Sequence, residues 1–473
     1  METVQTDICI IGAGAGGLSV AAVAAQMGAK VVLVEAGLMG GDCLNHGCVP
    51  SKALISAADA AHKARHLSRF GIQDVEPVVD WAKVRGHVKT AIDRIAYHDS
   101  QERFENMGVH VIRDSGAFLD PNTLRAGDFR VKAKKFVLAT GSQPSIPSIP
   151  GLNKTPFFTN QTIFENDKPI KHLMVIGGGP IGLEMAQAFK RLGADVTVLE
   201  ASRILGKEDT ELTALVREKI LAEGVKIIEG ATVQTVSGVA EEIEIRVNIS
   251  GENIEVKGSH LLVATGRNPT VSGLELEKAG IEFGSGGVLV DRRLRTTNKN
   301  VFALGDVVGA HNYTHAASYQ AGVIIRNILF RLPVRTNYRA MPRVTFMRPE
   351  LAQIGMTFYE AKHRFNTAQV ITTPFSENDR AQVSRDIHGI VKVVTSKRGK
   401  ILGVGIVGDN ASEIIQTWAM PISRGMNIKR LTELILPYPT LGEINKRTAA
   451  AFFAPKLFST RINRLVKFLL AFG

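Results

Sequence analysis

The segment DICIIGAGAGGLSVAAVAAQMGAKVVLVE, residues 7–35, joins two short apolar runs through a glycine-rich turn and an alanine-rich stretch. Short apolar runs beside glycines are typical of buried parallel strands, which predicts strands at Asp7–Ile11 and Lys30–Val34. The alanine-rich residues between them predict a helix over Leu18–Met27. The turn carries the three glycines of a GxGxxG pattern: Gly12, Gly14 and Gly17.

The same order of elements returns in the middle of the chain. His172–Ile176 and Asp195–Leu199 are predicted as strands, with a helix that ends at Leu192 between them. The second turn again has GxGxxG spacing, with Gly177, Gly179 and Gly182. Glu35 and Glu200 stand equally far past the first glycine of their turns. One GxGxxG is weak evidence, whereas two complete copies indicate a duplicated dinucleotide-binding unit.

Each glycine of such a unit has its own role. The first makes the tight turn, the second lets a pyrophosphate approach the backbone, and the third lets helix and strand pack closely. The helix N-terminus attracts phosphates, and Glu35 and Glu200 are predicted to accept hydrogen bonds from ribose hydroxyls. The alternative is a doubly wound fold whose glycine turns hold no ligand.

Composition narrows the class of protein. The chain has 473 residues, 45% hydrophobic and 22% charged, and at roughly 150 residues per domain it should form about three domains. These values exclude disordered and collagen-like proteins, and no apolar run reaches the ~18 residues of a membrane span. We see no secretory signal, and three cysteines are too few for a secreted disulfide framework. We therefore expect a cytoplasmic protein.

The formal net charge of +12 is unevenly spread. Half of the excess lies between Ile444 and Gly473, where no Asp or Glu occurs. The basic residues of this stretch are Lys446, Arg447, Lys456, Arg461, Arg464 and Lys467. Because the charge is local, it does not predict a nucleic-acid-binding surface.

Further segments complete the organisation. Phe136–Leu138 and Leu261–Val263 each lead into Ala-Thr-Gly, and three serines and three prolines in 142–151 mark a linker. A strand at Val301–Leu304 precedes Asp306. After about Pro333 the pattern predicts a third, α+β domain. Its predicted strands are Arg343–Phe346, Ile390–Thr395 and Ile401–Val407, and its predicted helices are Ser412–Arg424 and Asn427–Leu434.

GGDCLNHGCVPSK, residues 40–52, is the most specific constellation for chemistry. Cys43 and Cys48 can pair if the first helical turn is distorted, which Gly47 and Pro50 permit. A cysteine near a helix N-terminus and a lysine is biased towards thiolate. A metal site would need more ligands than the nearby His46, and two inert buried cysteines are the other alternative.

These motifs together resemble the class I pyridine-nucleotide disulfide oxidoreductases, such as dihydrolipoamide dehydrogenase, glutathione reductase and mercuric reductase. Both GxGxxG turns, the cysteine motif, ATGRNP, LGD and YPT occur in the order of that family along essentially the whole chain. The resemblance implies FAD, a nicotinamide dinucleotide and a homodimer whose substrate site uses both subunits.

The resemblance also implies roles for single residues. FAD would be bound by Gly12, Gly14, Gly17, Glu35, Lys52, Thr140, Gly141 and Asp306, and NAD(H) by Gly177, Gly179, Gly182, Glu200 and Gly266. Cys43 and Cys48 would form the redox disulfide, with Cys48 as the charge-transfer thiol and Cys43 as the interchange thiol. Lys52 would pair with Glu184 beside the flavin, although by sequence both are ordinary exposed helix charges.

The choice of nucleotide rests on Glu200. A Glu at the strand end suits a free 2′-hydroxyl and repels a 2′-phosphate, which favours NADH. Arg203 and Lys207 follow closely and either could bind a phosphate, so NADPH is not excluded.

The catalytic base departs from the family pattern. Dithiol-handling members place a His before Pro-Thr and a Glu five residues later, whereas this chain has Tyr438 and Glu443. A phenol with a pKa near 10 is a poor base at neutral pH. Tyr438 is then an acid or fills the pocket. His315 is the other candidate for proton transfer, against a core or helix-cap role.

Two more departures concern the acceptor. Mercuric reductases carry a cysteine pair near the C-terminus, and this chain has no cysteine after Cys48, which argues against mercury reduction. Many members have a Tyr after the second glycine of the second turn, where this chain has Pro180. Without that ring the flavin is more open to quinones or oxygen.

The end of the chain predicts a basic amphipathic helix over 456–473. Its apolar residues at helical spacing are Phe458, Ile462, Leu465, Val466 and Leu469, and Arg461, Arg464 and Lys467 lie off that stripe. Such a helix either packs on its own or the partner subunit, or contacts a partner protein or the cytoplasmic face of a membrane.

The sequence therefore predicts an α/β fold with two nested doubly wound dinucleotide-binding domains and a C-terminal α+β dimerisation domain. The predicted domains are FAD binding (1–148 and 270–335), NAD(P)H binding (149–269), dimerisation (336–455) and the terminal helix (456–473). The predicted activity passes a hydride from NAD(P)H through FAD to the Cys43–Cys48 disulfide and on to a small-molecule or protein disulfide, with no metal. The alternatives are a quinone or metal-ion reductase and a membrane-associated redox sensor.

Overall fold

The computed structural model describes residues 1–472. The strands of its first part are β1 (Glu2–Ile11), β2 (Val31–Val34), β3 (Val109–Ile112), β4 (Gly116–Asp120), β5 (Thr123–Ala126), β6 (Phe129–Leu138) and β7 (Ser142–Pro144). The helices are α1 (Ala15–Gln26), α2 (Gly41–Asn45), α3 (Cys48–Ala64), α4 (Trp81–Ala96) and α5 (Gln101–Asn106).

The second part, which contains the second glycine turn, has two helices, α6 (Pro180–Arg191) and α7 (Thr210–Ala222). Its strands are β8 (His172–Ile176), β9 (Asp195–Glu200), β10 (Lys226–Glu229), β11 (Ala231–Val239), β12 (Glu242–Ile249), β13 (Glu252–Gly258), β14 (His260–Val263) and β15 (Arg267–Pro269). The chain then forms β16 (Phe283–Gly284), β17 (Gly287–Val288), β18 (Val301–Ala303) and α8 (Thr314–Ile328).

The last part contains β19 (Pro342–Thr345), β20 (Glu350–Gly355), β21 (Gln369–Pro374), β22 (Ile390–Thr395) and β23 (Ile401–Gly408). Its helices are α9 (Phe358–Arg364), α10 (Asp379–Ser384), α11 (Ala411–Ile414), α12 (Gln416–Ser423), α13 (Lys429–Thr432), α14 (Glu443–Ala451), α15 (Ala454–Leu457) and α16 (Thr460–Leu470).

The first sheet is parallel around β1, which lies between β2 and β6, with β3 beyond β2. The far edge of β6 has two neighbours: its first half pairs antiparallel with β5, and its second half pairs parallel with β18. β18 therefore returns the chain to this sheet after the second unit. All four residues of β2 are buried, as expected for an inner parallel strand.

The second sheet has the parallel order β10-β9-β8-β14. An antiparallel sheet of β11, β12 and β13 packs against it, and Val236 and Ile245 join Leu261 in a buried cluster. The 142–151 linker and the return segment pair as antiparallel β7 and β15, with Ser142 opposite Pro269. Both crossings between the two units thus run side by side.

The last sheet is antiparallel in the order β19-β20-β23-β22-β21. The helices α12 and α14 cover it with Trp418 and Ile444, which are fully buried. The predicted class, two doubly wound units followed by a C-terminal α+β dimerisation domain, is confirmed.

Both helices predicted for the last part differ from the observed ones. The helix predicted over Ser412–Arg424 is divided into α11 and α12. At the division the backbone N–H of Trp418 donates to the carbonyl oxygen of Ile415, only three residues back, in place of the four-residue spacing of an α-helix. The helix predicted over Asn427–Leu434 shortens to α13, which begins at Lys429. Asn427 and Ile428 lie before it, and the Asn427 side-chain oxygen accepts from the Lys429 N–H at 3.0 Å.

The terminal helix makes no buried contact with its own subunit within the described residues, and its packing on the partner subunit or contact with a membrane stays a prediction. α16 forms where the helical spacing predicted it, yet it has no buried residue. Ser459 caps it by accepting a hydrogen bond from the Ile462 N–H. Within residues 1–472, no helix has the length and apolar character needed to cross a bilayer.

Candidate functional site

One open cleft of about 1490 Å³ runs past the first glycine turn, the cysteine motif and the N-termini of α6 and α8. It brings together many of the predicted site residues: Gly12, Gly14, Glu35, Cys43, Cys48, Lys52, Thr140, Gly141, Glu184 and Asp306. The predicted residues outside its lining are Gly17, Gly177, Gly179, Gly182, Glu200, Gly266, Tyr438 and Glu443.

The three glycines of the first turn differ in their surroundings. Gly12 has φ +106°, and a Cβ there would lie 2.3 Å from the Ala139 carbonyl oxygen. A Cβ on Gly17 would lie 1.9 Å from the Gly12 carbonyl oxygen, so only glycine lets α1 pack on this turn. Gly14 instead lines the cleft, where a Cβ would touch only the Gly41 Cα, at 3.9 Å. The open backbone at Gly14 and the N-terminus of α1 fit a dinucleotide phosphate.

The second turn repeats this geometry. Gly177 has φ +114°, a Cβ on Gly182 would lie 2.0 Å from the Gly177 carbonyl oxygen, and nothing lies within 4 Å of a Cβ on Gly179. The acids match as well. Glu35 accepts from the N–H groups of Ala13 and Gly37, and Glu200 accepts from those of Gly178 and Ser202. Each turn can therefore hold one dinucleotide in the same manner.

The helix is interrupted between the two cysteines of the motif, which are both free thiols in this structure. Cys43 lies in the short helix α2, and Cys48 begins α3 after a break at His46 and Gly47. Gly41 has φ +64° and would place a Cβ 2.6 Å from the Gly14 Cα. The motif is thus pressed directly against the first glycine turn.

The two thiols interact, and the interaction separates their pKa values. The neighbouring Cys43 thiol lowers the pKa of Cys48 to about 6, helped by the Thr314 hydroxyl and the Lys52 charge and opposed by burial. The neighbouring Cys48, with burial, raises the pKa of Cys43. Cys48 is therefore the thiolate of the pair at neutral pH. Burial alone raises the pKa of the third thiol, Cys9.

Thr314 is a site residue that the sequence did not reveal. It opens α8, and its hydroxyl lies 3.5 Å from the Cys48 sulfur. The N-terminus of α8 adds partial positive charge at this point, which also favours a thiolate. His315, next to it, is exposed in the first turn of α8 rather than in the core, and its Nε2 lies 3.0 Å from the Pro342 carbonyl oxygen.

Lys52 and Glu184 form an ion pair at 2.7 Å. The Glu184 side chain is only 6% exposed, so it is not an ordinary surface charge. Its second oxygen accepts from the Phe346 N–H at 2.9 Å, and the Lys52 ammonium lies 4.5 Å from the centre of the Phe346 ring. Residues from α3, α6 and the last part of the chain thus meet beside the cysteines.

Asp306 belongs to a second polar cluster in the cleft. Burial raises its pKa, and the Ser142 hydroxyl donates to it at 2.6 Å. Arg267 lies 3.7 Å from Asp306 and 3.1 Å from Asp42, the neighbour of Cys43. Sequence reasoning chose Gly266 here, whereas the adjacent Arg267 lines the cleft. The Arg within ATGRNP was the available signal.

Tyr438 and Glu443 lie away from this cleft. The Tyr438 hydroxyl donates to Asp379 at 3.0 Å, and that hydrogen bond and carboxylate raise the pKa of Tyr438. Glu443 accepts from the Thr440 N–H at 3.3 Å. Tyr438 is 71% exposed on the single chain. Among the described residues no cluster of three or more His, Cys, Asp or Glu could hold a metal ion.

The chain matches two family models. The model for pyridine nucleotide-disulphide oxidoreductases matches residues 6–321, and the model for the dimerisation domain of the same proteins matches residues 341–449. The mercuric reductase of Lysinibacillus sphaericus is 33% identical over 449 residues, which are 94% of this chain and 82% of the relative. The dihydrolipoyl dehydrogenase of Geobacillus stearothermophilus is 33% identical over 454 residues, 94% of this chain and 96% of the relative.

Solved structures agree. The HOCl-induced flavoprotein disulfide reductase RclA from Escherichia coli has a TM-score of 0.85 and 27% identity, covering 96% of this chain and 100% of that one. The Cu(II) complex of the same reductase has a TM-score of 0.85 and 27% identity, covering 93% of this chain and 99% of that one.

Proposed function

Because the chain belongs to the pyridine nucleotide-disulphide oxidoreductase family, we propose that it uses NADH to reduce a disulfide acceptor through Cys43 and Cys48. The family makes it an FAD-dependent NAD(P)H oxidoreductase, and its dimerisation domain supports a homodimer. The identity of the acceptor and the preference for NADH are our proposals.

The observation that carries the proposal is the unequal thiol pair in the cleft. Cys43 and Cys48 shift each other's pKa in opposite directions, the pKa of Cys48 falls to about 6, and the Thr314 hydroxyl lies 3.5 Å from the Cys48 sulfur. Both line the same cleft as the first glycine turn and the Lys52–Glu184 pair. Two inert structural cysteines would not need this arrangement, since burial without a partner raises a thiol pKa, as at Cys9.

Bound FAD supplies the chemistry that takes a hydride from NADH and passes two electrons to the cysteine pair. The chain's own residues do the rest. The Cys43 sulfur, once deprotonated, attacks one sulfur of the acceptor disulfide, and the first acceptor thiolate leaves and takes up a proton. The Cys48 thiolate then attacks the Cys43 sulfur, which re-forms the Cys43–Cys48 disulfide and expels the second thiolate. NADH and one proton are consumed and two acceptor thiols form.

Deprotonation of Cys43 is the most difficult step of this cycle. The pKa of Cys43 is raised, so a base must take its proton before attack. Tyr438 holds its own proton against Asp379 and does not supply such a base. We therefore propose that thiol–disulfide exchange at Cys43 is slow in both directions: dihydrolipoamide oxidation lacks a base for its incoming thiol, and disulfide reduction lacks one for the Cys43 thiol.

The preference for NADH rests on Glu200. Its carboxylate is fixed by the N–H groups of Gly178 and Ser202, where a 2′-phosphate would meet like charge. The Arg203 side chain donates to the Gly206 carbonyl at 2.9 Å, and Lys207 lines the large cleft. NADH should therefore have a lower KM than NADPH, and Glu200→Ser should reduce the difference between these two KM values.

An anaerobic NADH titration with thiol counting tests the function. In the wild type, NADH should expose two thiols to iodoacetamide that the oxidised enzyme lacks. In Cys43→Ser and Cys48→Ser the remaining cysteine has no disulfide partner, so its alkylation should be the same before and after NADH. Cys9→Ala is the matched control, since Cys9 is buried in the first sheet. If NADH consumption leaves the cysteines oxidised, the proposal fails.

The second candidate is direct reduction of a quinone or metal ion at the flavin. It is favoured by Pro180, which lines the cleft where many relatives have a covering Tyr, and by the 38% exposure of Ile181 beside it. The solved RclA structure that contains Cu(II) is consistent with a metal acceptor. Turnover with menadione or Cu(II) that survives Cys43→Ser would support this candidate, and its loss in that variant would exclude it.

A further inference from the structure

We propose that α16, the tail helix (Thr460–Leu470), lies on the surface of an anionic lipid bilayer and carries the dimer there. The tail helix is 11 residues long, which is about 16 Å at 1.5 Å per residue. Because it has no buried residue, the described chain offers it no other apolar environment.

The tail helix has a continuous apolar face. Leu465 is 50% exposed, Leu469 is 58% exposed and Phe458, just before the helix, is 77% exposed. At 100° per residue Ile462, Leu465, Val466 and Leu469 fall on one side of the tail helix. Exposed apolar area of this kind is found in helices that insert into the headgroup region of a membrane.

The opposite side is basic without compensation. Arg461, Arg464 and Lys467 lie off the apolar stripe, and no Asp or Glu occurs anywhere in 444–473. The helix therefore has no carboxylate of its own with which to form i,i+4 ion pairs. Each such cation near an anionic membrane strengthens binding by about 1 kcal/mol, which is about fivefold.

The charge of the tail helix favours an anionic lipid surface over two other possible binding partners. The tail helix of a second copy carries the same three cations, Arg461, Arg464 and Lys467, so two tail helices that met would repel each other. A nucleic acid would attract the cations but would leave the apolar face in water. Only an anionic bilayer satisfies both faces at once.

Co-sedimentation of the full-length holoenzyme with vesicles tests the inference. The enzyme should pellet with vesicles of phosphatidylcholine containing 30% phosphatidylserine, a probe composition chosen at roughly the anionic content that drives polybasic binding, and should stay in solution with pure phosphatidylcholine. Replacing Arg461, Arg464 and Lys467 by Gln should weaken binding at least about tenfold. Leu465→Glu with Leu469→Glu should abolish it.

The matched control is Ile72→Glu with Val78→Glu, which changes two apolar residues that are 55% and 97% exposed far along the chain from the tail. This control should pellet like the wild type, and all variants should keep NADH turnover in solution. Equal pelleting of the wild type and the Leu465/Leu469 variant would overturn the inference. So would loss of the dimer in that variant, measured by sedimentation velocity, since the helix would then belong to the subunit interface.

Discussion

Thr314 should tune the thiolate that the cycle depends on. Its hydroxyl is 3.5 Å from the Cys48 sulfur and lowers the pKa of Cys48. We expect Thr314→Val to raise that pKa by roughly half a unit to one unit, the worth of one weak hydrogen bond to a charged group. Alkylation of the NADH-reduced enzyme by iodoacetamide, followed from pH 4.5 to 8, measures the shift.

The direction of this effect follows from the lowered pKa. In the wild type the reactive thiolate is lost as the pH falls through about 6, and in Thr314→Val it should be lost at higher pH. Thr314→Ser keeps the hydroxyl and should follow the wild-type profile. Identical profiles for Val and Ser would show that the hydroxyl does not act on Cys48.

Tyr438 offers the reverse experiment, a gain of function. Tyr438→His would restore an imidazole before Pro439, with Glu443 at its family spacing. Because general base catalysis contributes about 10²–10⁴ in rate, we expect dihydrolipoamide oxidation at pH 7 to rise at least about tenfold. Steady-state NAD⁺ reduction measures it.

Tyr438→Phe serves as the control, since it removes the hydrogen bond to Asp379 without adding a base. It should change dihydrolipoamide oxidation little. A Tyr438→His enzyme no faster than Tyr438→Phe would mean that this position does not reach the cysteines of either subunit.

Single residues divide into those that the sequence reveals and those that it hides. Lys52 and Glu184 were paired in advance through the family pattern, and they meet at 2.7 Å. Thr314 and Arg267 were missed because each acts on a residue from a distant segment: Cys48 and Asp42 respectively. Such contacts depend on how α8 and β15 pack in three dimensions against the first part of the chain, which the spacing of residues in the sequence does not predict.

At the scale of elements, a substitution in one glycine turn should abolish binding at that turn and leave binding at the other turn unchanged. A Cβ on Gly17 or on Gly182 would collide with a backbone carbonyl at 1.9 or 2.0 Å. Gly17→Ala should therefore lose FAD, whereas Gly182→Ala should keep FAD and lose affinity for NADH. The flavin-to-protein absorbance ratio and an NADH binding titration separate the two outcomes.

Gly86→Ala is the control for that pair, because Gly86 lies inside α4 with nothing within 4 Å of its Cβ position. It should retain both ligands and gain about 0.5–1 kcal/mol in unfolding free energy. If Gly182→Ala also released FAD, the two units could not be regarded as separate binding elements.

Strands could be predicted from the sequence where their run of apolar residues was uninterrupted. His172–Ile176 and Ile390–Thr395 were predicted to the residue, because each is an apolar run between breakers. β20 was missed, since Glu350 and Gln353 interrupt its apolar sequence although both are buried. Glu350 can be buried because Arg348 forms an ion pair with it, and the apolar pattern of the sequence does not reveal that pair.

At the scale of the whole molecule, one buried ion network joins all three parts of the chain. Arg191 at the end of α6 bonds Asp59 of α3 and Glu223 after α7, and its side chain is only 5% exposed. Arg348, just before β20, bonds the other oxygen of Asp59 at 2.9 Å. The network therefore adds ionic contacts between α3 and α6, the two helices that carry Lys52 and Glu184.

Removing Arg191 should leave the buried Glu223 carboxylate without a cation and Asp59 with Arg348 alone. Loss of one partner of a buried pair costs about 3–5 kcal/mol, so Arg191→Met should lower the free energy of unfolding in urea by that amount. Lys89→Met breaks an exposed pair with Asp93 and is the matched control, with an expected loss below about 1 kcal/mol. Since Lys52 and Glu184 lie on the same two helices, NADH-dependent exposure of the thiols should also fall in Arg191→Met. Equal losses in the two variants would mean that the domains are held by their apolar contacts alone.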